Sequence, residues 1–211
     1  MSRANQVLLV LNQMFPDANV ELVHHNHFEL LIAVVLSAQT TDVSVNKITP
    51  ALFEKYPTPL LLSQGKISDI ENSLRSIGLY RNKAKNIKML SLVLHEKYND
   101  EVPGNRKDLE SLPGVGRKTA NVVLSNAFGI PALAVDTHVA RVSVRLGLAK
   151  EHDSVLEIEH KLMRKIPKEK WQKAHHQLIF FGRYHCLARN PKCNECPLFD
   201  ICKYKDKADI Q

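Results

Sequence analysis

Hydrophobic residues recur at helical spacing along most of the chain, and no segment shows a convincing strand-like alternation. Asn26 is placed to cap a helix over His27–Gln39, and Asp42 is placed to cap the helix that follows. Pro59 stands where the first turn of a further helix would begin, a position that proline favours. The inner face of the helix after Asp42 is expected to carry Val45, Ile48, Leu52 and Phe53.

A long helix is predicted from about Arg81 to Tyr98, with Pro103–Gly104 ending that region. Shorter helices are predicted near residues 106–111, 117–128, 137–147, 154–166 and 171–184. The pattern therefore predicts an all-α fold, although the period alone does not give its topology.

The charge is unevenly distributed between the two halves of the chain. The formal net charge is +7 and the pI is about 9.2. Residues 1–100 carry 10 basic and 9 acidic side chains, whereas residues 101–211 carry 19 basic and 13 acidic ones. A basic half favours a polyanionic partner, with nucleic acid first and an anionic membrane second, although a solvated basic surface has the same composition.

The apolar segments do not indicate export or membrane insertion. The first residues lack a charged leader, a long apolar core and a cleavage site, so we expect no signal peptide. The longest apolar stretch, Leu30–Leu36, is too short to span a bilayer. We therefore expect a cytoplasmic protein without a membrane partner, in which cysteines serve as metal ligands rather than in disulfides.

The chain has four cysteines, Cys186, Cys193, Cys196 and Cys202, spaced C-x6-C-x2-C-x5-C. Buried structural cysteines normally scatter among apolar faces, so this clustering favours a metal site. Four thiolates can bind either tetrahedral zinc or a [4Fe–4S] cluster. The wide outer spacings favour the cluster, and zinc stays open as the alternative.

Two basic residues, Arg189 and Lys192, lie between the first two cysteines. Ligands at both ends would hold this segment as a rigid basic loop. We expect such a loop to meet DNA phosphates with little loss of conformational entropy.

A glycine-rich turn, Leu112–Gly116, separates two of the short predicted helices. Gly114 and Gly116, on either side of Val115, allow a tight turn, and the next helix would present free N–H groups at its start. Arg117 follows directly, which favours a contact with phosphate over an ordinary turn between helices.

Lys118 and Asp136 are the candidate catalytic residues. Lys118 lies in the first turn of a predicted helix, where the helix dipole and Arg117 disfavour a cation and partial burial would disfavour it further. A surface lysine is the alternative. Asp136 is placed to cap the helix that follows it, and a capping carboxylate can also be catalytic.

The stretches Leu36–Asp42, Leu112–Ala120 and Val135–His138, with the cysteine tail, occur in an order and at separations that resemble those of the endonuclease III family. The resemblance implies a two-domain helix-hairpin-helix DNA glycosylase fold, with a DNA-binding cleft between the domains. Residues 20–130 would form a six-helix barrel that contains the hairpin at about 106–128. Residues 1–19 and 131–211 would form the other domain, with the [4Fe–4S] cluster held by residues 186–202.

The resemblance also implies a base excision repair enzyme that removes oxidised or ring-saturated pyrimidines from duplex DNA after flipping the nucleotide out of the stack. Lys118 would attack C1′ of the sugar and form a Schiff base, and β-elimination would break the strand 3′ to the lesion. Asp136 would deprotonate the lysine or stabilise positive charge on the sugar. Gln39 would fill the hole left by the flipped base, and Leu79 would be the wedge beside the opposite strand. We also expect His138 to contact DNA and the protein to be a monomer.

Three alternatives remain. An adenine-mismatch glycosylase would share the hairpin, the aspartate and the cluster, but that family lacks the hairpin lysine. It also has a catalytic glutamate in the helix before the glutamine, where this chain has no carboxylate after Glu29. A non-catalytic DNA-binding module or a structural zinc protein would need no pairing of Lys118 with Asp136.

Overall fold

The computed structural model describes residues 1–208, and this part of the chain is helical without a strand, which confirms the predicted all-α class. Residues Glu21–Ile130 form one compact unit, called here the continuous unit. Met1–Val20 and the chain from Pro131 onward form a second, called here the split unit. No helix among the described residues is both long and apolar enough to cross a bilayer.

The α-helices of residues 1–208 are α1 (Arg3–Met14), α2 (His27–Leu36), α3 (Asp42–Lys55), α4 (Pro59–Gln64), α5 (Ile67–Ser73), α6 (Tyr80–Tyr98), α7 (Arg106–Glu110), α8 (Arg117–Ala127), α9 (Thr137–Arg145), α10 (Val155–Lys165) and α11 (Trp171–Phe180). Short 3₁₀ turns occupy Lys168–Lys170, Cys193–Glu195 and Lys205–Ala208, and a π-helical turn occupies Phe181–His185.

Helix α2 is the centre of the continuous unit, since every residue from Phe28 to Leu36 is buried. It contacts α3, α6 and α8, which surround it. Asn26 caps it as predicted, because the Glu29 backbone N–H donates to Asn26 Oδ1 at 2.9 Å. The helix ends at Leu36 rather than at Gln39 as predicted, because Gln39 has a left-handed backbone with φ of 54°.

Local hydrogen bonds set the other helix starts in the continuous unit. Thr41, rather than the predicted Asp42, caps α3, because its Oγ1 accepts a hydrogen bond from the Ser44 backbone N–H at 3.2 Å. Pro59 occupies the first turn of α4 as predicted, after Thr58 at the cap. The predicted inner face of α3 is buried at Val45, Leu52 and Phe53 and half-buried at Ile48.

Helices α7 and α8 form a hairpin whose turn depends on one glycine. Gly114 has φ of +79°, and a Cβ at this position would lie 3.0–3.2 Å from atoms of the Asn86 side chain. For both reasons, any residue with a Cβ would be strained at position 114. Gly116 differs, because it has an extended backbone and no heavy atom lies within 4 Å of a Cβ built there.

The split unit buries helix α1 against elements from the other end of the chain. Val7 and Leu11 of α1 belong to the same apolar core as Leu178 and Phe181. The Gln177 side chain adds polar contacts, since its Nε2 donates to Phe15 O at 3.2 Å and to Asn12 Oδ1 at 3.4 Å. The N-terminal helix therefore completes a core that is otherwise built from residues after Pro131.

Helix α11 leads directly to the first cysteine. Its α-helical part ends at Phe180, earlier than the predicted 171–184, and continues as the π-helical turn Phe181–His185 up to Cys186. In this turn Gly182 lies against α9, and a Cβ at Gly182 would come within 2.9 Å of His138 Cβ. The absence of a side chain at Gly182 thus allows α9 and the approach to the cysteines to pack closely.

The buried His176 predicts a loss of stability in acid. Burial first, and the neighbouring His175 second, lower the pKa of His176 from 6.5 to about 3. As the pH falls below 6.5, the unfolded chain takes up this proton and the folded protein does not. The unfolding free energy should therefore decrease by roughly 1.4 kcal/mol per pH unit from this group, down to about pH 3.

We expect His176→Gln to reduce this dependence, which thermal midpoints of both proteins at pH 7 and pH 5, at one scan rate, would measure. Equal downward shifts of the two midpoints between these pH values would contradict the assignment.

Candidate functional site

Lys118 lies in the first turn of α8, on the solvent-exposed side of the hairpin. It is the second residue of the helix, and its side chain is exposed together with that of Arg117. The partial burial considered from the sequence is therefore not found. Gly116 at the cap supplies no side-chain acceptor, so the first backbone N–H groups of α8 have no side-chain cap. The start of α8 thus combines an open backbone with two basic side chains.

Asp136 caps helix α9, as the sequence predicts. The Val139 backbone N–H donates to Asp136 Oδ1 at 2.8 Å, and the carboxylate is half-buried. The preceding segment Ala132–Val135 is buried in full. One carboxylate oxygen is thus held in a defined orientation, because the buried segment before Asp136 and the helix start after it position the residue from both sides.

Gln39 and Leu79 share an unusual backbone conformation within the continuous unit. Among residues 1–208, the non-glycine residues with positive φ are Gln39, Leu79, Asn99, Asp100 and Asn190. Asparagine and aspartate tolerate this region, whereas glutamine and leucine seldom occupy it. Gln39 is exposed, and Leu79 is 56% exposed at the start of α6. Such strain costs about 1–3 kcal/mol per residue and concentrates at functional sites.

Lys83 lies near both of these residues, and the sequence interpretation assigned it no role. It is 4% exposed, and its Nζ donates to Thr40 Oγ1 at 2.6 Å. Burial lowers the pKa of the Lys83 ammonium below its ordinary value. The sequence contains a sign of this burial. Lys83 lies on the same face of α6 as Ile87 and Leu90, where an apolar residue is expected.

The four cysteines line one cavity within the split unit. The wall of this cavity also includes Arg145, Lys192, Lys207 and Tyr204. Successive backbone turns wrap the chain around it, since Cys196 N–H donates to Cys193 O at 3.1 Å and Cys202 N–H donates to Phe199 O at 3.2 Å. No three His, Cys, Asp or Glu side chains among the described residues converge as ligands of a single metal ion.

The donor set and the surrounding charge of this cavity fit a [4Fe–4S] cluster. Burial raises the pKa of the Cys196 thiol to about 11 and also raises that of Cys193. Buried thiolates therefore need positive charge nearby. Iron supplies most of it on binding, and the basic side chains in the wall suit a cluster whose net charge with four thiolates is about −2.

Two arginines of α9 hold the segment that begins at Cys186, and sequence patterns alone did not reveal them. Arg145 donates to Leu187 O at 2.6 Å and to Cys186 Sγ at 3.4 Å. Arg141 donates to Gly182 O at 2.7 Å and contacts His138 Nδ1 at 3.3 Å. Arg141 and Arg145 are one helical turn apart, so both reach the same segment, and His138 is thereby packed beside it.

The basic loop between Cys186 and Cys193 is closed by its own backbone. Lys192 N–H donates to His185 O at 3.1 Å, which brings the two ends of the loop together. Arg189 and Lys192 are both exposed on it. The loop therefore presents two cations on a backbone that its own hydrogen bond closes, whereas the sequence-based expectation was closure by the cysteine ligands at its ends.

Two sequence families match this chain. A model of the HhH-GPD superfamily of base excision DNA repair proteins matches residues 32–168. A model of the iron–sulfur binding domain of endonuclease III matches residues 186–202, the stretch bounded by the first and last cysteines.

Individual relatives cover almost the whole chain. Endonuclease III of Bacillus subtilis is 57% identical over 199 residues, covering 94% of this chain and 91% of the relative. Endonuclease III of Escherichia coli is 47% identical over 205 residues, covering 97% of each. A solved structure of a trapped endonuclease III–DNA covalent intermediate with an estranged adenine is 57% identical, covers 100% of both chains and has a TM-score of 0.94.

The left-handed backbone at Leu79 leads to a stability prediction. Leu79→Ala and Leu79→Gly both remove the exposed side chain, but only glycine adopts positive φ without strain. We expect Leu79→Gly to be more stable than Leu79→Ala by about 1 kcal/mol, or ~2–4 °C in Tm. Thermal unfolding of the two variants side by side measures the difference. A Tm for the alanine variant equal to or above that of the glycine variant would show that the backbone is not strained.

Proposed function

Because this chain belongs to the endonuclease III family of base excision DNA repair proteins, we propose that Lys118 is its nucleophile and Asp136 its catalytic carboxylate. The protein is a DNA glycosylase and AP lyase, and its macromolecular partner is DNA. The proposed substrates are oxidised or ring-saturated pyrimidines in duplex DNA. The observation that carries the assignment is the exposed Lys118 amine at the open start of α8.

In the proposed reaction, the neutral amine of Lys118 attacks C1′ of the damaged nucleotide. The glycosidic bond breaks, and the base leaves with the bonding electron pair and takes up a proton. The sugar ring opens to a protonated Schiff base between Lys118 and C1′. Loss of a C2′ proton then expels the 3′ phosphate, which breaks the strand, and water releases the lysine.

Asp136 has two tasks in this proposal. It accepts the proton that Lys118 must lose, or it stabilises the positive charge that develops on the sugar as the base departs. The capping bond from Val139 supports the proposal, because it holds Oδ1 at 2.8 Å and thereby orients the whole carboxylate. An oriented carboxylate loses no rotational freedom when the charge develops.

The proposed DNA contacts fall into two groups. Gln39 fills the space left by the flipped base, and Leu79 is a wedge beside the opposite strand, which their exposure and preset backbone support. Phosphates are bound by a second group, which consists of Gly114, Val115, Gly116, Arg117, His138, Arg189 and Lys192. The bare backbone of the hairpin and the closed basic loop support this second assignment.

The protein carries a [4Fe–4S] cluster, for which we propose Cys186, Cys193, Cys196 and Cys202 as the ligands. Bound there, the cluster supplies four metal–thiolate bonds that hold both ends of the loop 187–192. We further propose that the protein acts as a monomer in the cytoplasm, where the DNA of its bacterial relatives lies.

The nucleophile can be tested by reduction of the Schiff base. Borohydride should trap a covalent complex between the protein and duplex DNA bearing an oxidised pyrimidine, which is visible as a slower band in a denaturing gel. Lys118→Gln should abolish this band and retain the yellow-brown absorption near ~400 nm. Undiminished trapping by that variant would rule out Lys118 as the nucleophile.

Asp136→Asn is the companion variant in the same experiment. Asparagine is as good a helix cap as aspartate, so α9 should be preserved. We expect base removal to slow by roughly 10²-fold in single-turnover assays. A normal rate would reduce Asp136 to a structural cap without affecting the assignment of Lys118.

The two hairpin glycines form a matched pair for the phosphate contact. Gly114→Ala should destabilise the protein by about 1–2 kcal/mol, because φ is positive and Asn86 is close. Gly116→Ala replaces an N-cap glycine with the poorer alanine cap but introduces no clash, so it should lower Tm less than Gly114→Ala. It should raise the Kd for duplex DNA roughly tenfold, since its Cβ would occupy the space where a phosphate approaches. Fluorescence anisotropy at one fixed salt concentration measures the Kd. Unchanged affinity of the Gly116→Ala variant would contradict the proposed contact.

A further inference from the structure

Gln39 and Leu79 are exposed residues with a left-handed backbone, and one buried lysine, Lys83, is hydrogen-bonded next to both of them. Gln39 and Leu79 lie 40 positions apart, and both have the unusual positive φ described above. Each residue must keep this conformation if Gln39, the plug that fills the space of the flipped base, and Leu79, the wedge beside the opposite strand, are to enter DNA together. The structure must therefore contain something that stabilises both turns.

The turn of Gln39 is closed by the residue that follows it. Thr40 N–H donates to Ser37 O at 3.0 Å, and the Thr40 hydroxyl donates to Ala38 O at 3.5 Å. These bonds span Gln39 from both sides. The Thr40 side chain is thus the group through which another segment can hold the turn that contains Gln39.

The turn of Leu79 is closed by α6 itself. Leu79 is the residue before the helix and makes no side-chain cap, whereas its carbonyl accepts the first bond of the helix from Lys83 N–H at 3.0 Å. Lys83 is therefore tied to Leu79 through its backbone.

The side chain of Lys83 completes the connection. Its Nζ donates to Thr40 Oγ1 at 2.6 Å from a position that is 4% exposed, and no carboxylate among the described residues pairs with it. A buried ammonium with a hydroxyl acceptor is a poor source of stability, because desolvation of the charge outweighs one hydrogen bond. Its retention at a position of the apolar stripe needs a reason other than packing.

We propose that Lys83 is a positioning residue that holds Gln39 and Leu79 together in the conformations that enter DNA, through the Thr40 hydroxyl on one side and the first turn of α6 on the other. The inference rests on the proposed roles of Gln39 and Leu79. Lys83 itself contacts neither the lesion nor the reacting atoms. Because Lys83 orders the two turns before DNA binds, the entropy cost of ordering them does not arise when the nucleotide is flipped.

Lys88 provides a matched control on the same helix. Its Nζ also crosses to another segment of the continuous unit, where it donates to Ser63 O at 2.7 Å and Gly65 O at 2.5 Å. Lys88 thus joins α6 to the end of α4 and makes no hydrogen bond to the turns of Gln39 and Leu79. Replacing either lysine by methionine removes one ammonium and keeps an unbranched side chain that is only one atom shorter.

The test measures binding to two duplexes, one undamaged and one containing a tetrahydrofuran abasic analogue opposite 2-aminopurine. Lys83→Met should weaken binding to the analogue roughly 3- to 10-fold and reduce the change in 2-aminopurine fluorescence that reports filling of the gap. Binding to undamaged duplex should stay the same, because phosphate contacts are untouched. Lys88→Met should lower Tm but leave both affinities and the fluorescence change as in the unmodified protein.

Thr40 variants keep the test decisive if Lys83→Met folds poorly. Thr40→Val removes the acceptor and should reproduce the loss, whereas Thr40→Ser keeps the hydroxyl and should restore binding. Thr40→Val should add no further loss to Lys83→Met, since both break one connection. Independent, multiplicative losses, or an equal loss in Lys88→Met, would overturn the role of Lys83.

Gln39→Ala and Leu79→Ala separate this inference from the function on which it rests. Each substitution, made alone with Lys83 and Thr40 unchanged, should weaken binding to the analogue. If both alanine variants bind normally, the plug and wedge assignment is wrong and the positioning role fails with it. If they bind weakly while Lys83→Met binds normally, only the positioning role is wrong.

Discussion

The burial of α2 is the constraint on which the continuous unit depends. From Phe28 to Leu36 this helix is buried all round, so the elements around it have little freedom to shift. Helix α8, which carries Lys118, packs on α2, and so does α6, which begins after Leu79. The turn with Gln39 begins where the buried helix ends. A helix that is buried along nearly its whole length thus positions three exposed polar or strained features that have no core of their own.

The split unit positions its functional groups through hydrogen bonds and close packing of α9 rather than through a buried central helix. Asp136 caps helix α9, and the arginines of this helix reach the chain around Cys186. Gly182 lets the two segments approach closely, so that backbone carbonyls lie within reach of the guanidinium groups. The carboxylate and the cysteine cavity are therefore connected through one short helix. A change of side-chain volume at Gly182 would disturb both ends of that helix together.

Features that depend on periodicity, helix caps and residue spacing could be predicted from the sequence. Features that depend on contacts between distant segments could not. The all-α class and Asp136 as a cap follow from local patterns. Nothing in the local sequence places Gln39 or Leu79 in a left-handed conformation, because neither residue type favours it. Lys118 is exposed, so its proposed role rests on the family and on its place at the open start of α8, and not on the partial burial that the sequence suggested. The contact of Lys83 with Thr40 joins residues 43 positions apart, which no local pattern encodes.

The position of α1 also has a consequence for synthesis on the ribosome. Its polar contact with α11 joins residues 165 positions apart, and its apolar face has no core to bury it until that region emerges. At about 5–20 residues per second this takes roughly 10–30 s, during which the continuous unit can fold first. The nascent chain therefore exposes Val7 and Leu11 of α1 until α11 has been synthesised. Helix α1 leaves the ribosome long before the residues that bury it.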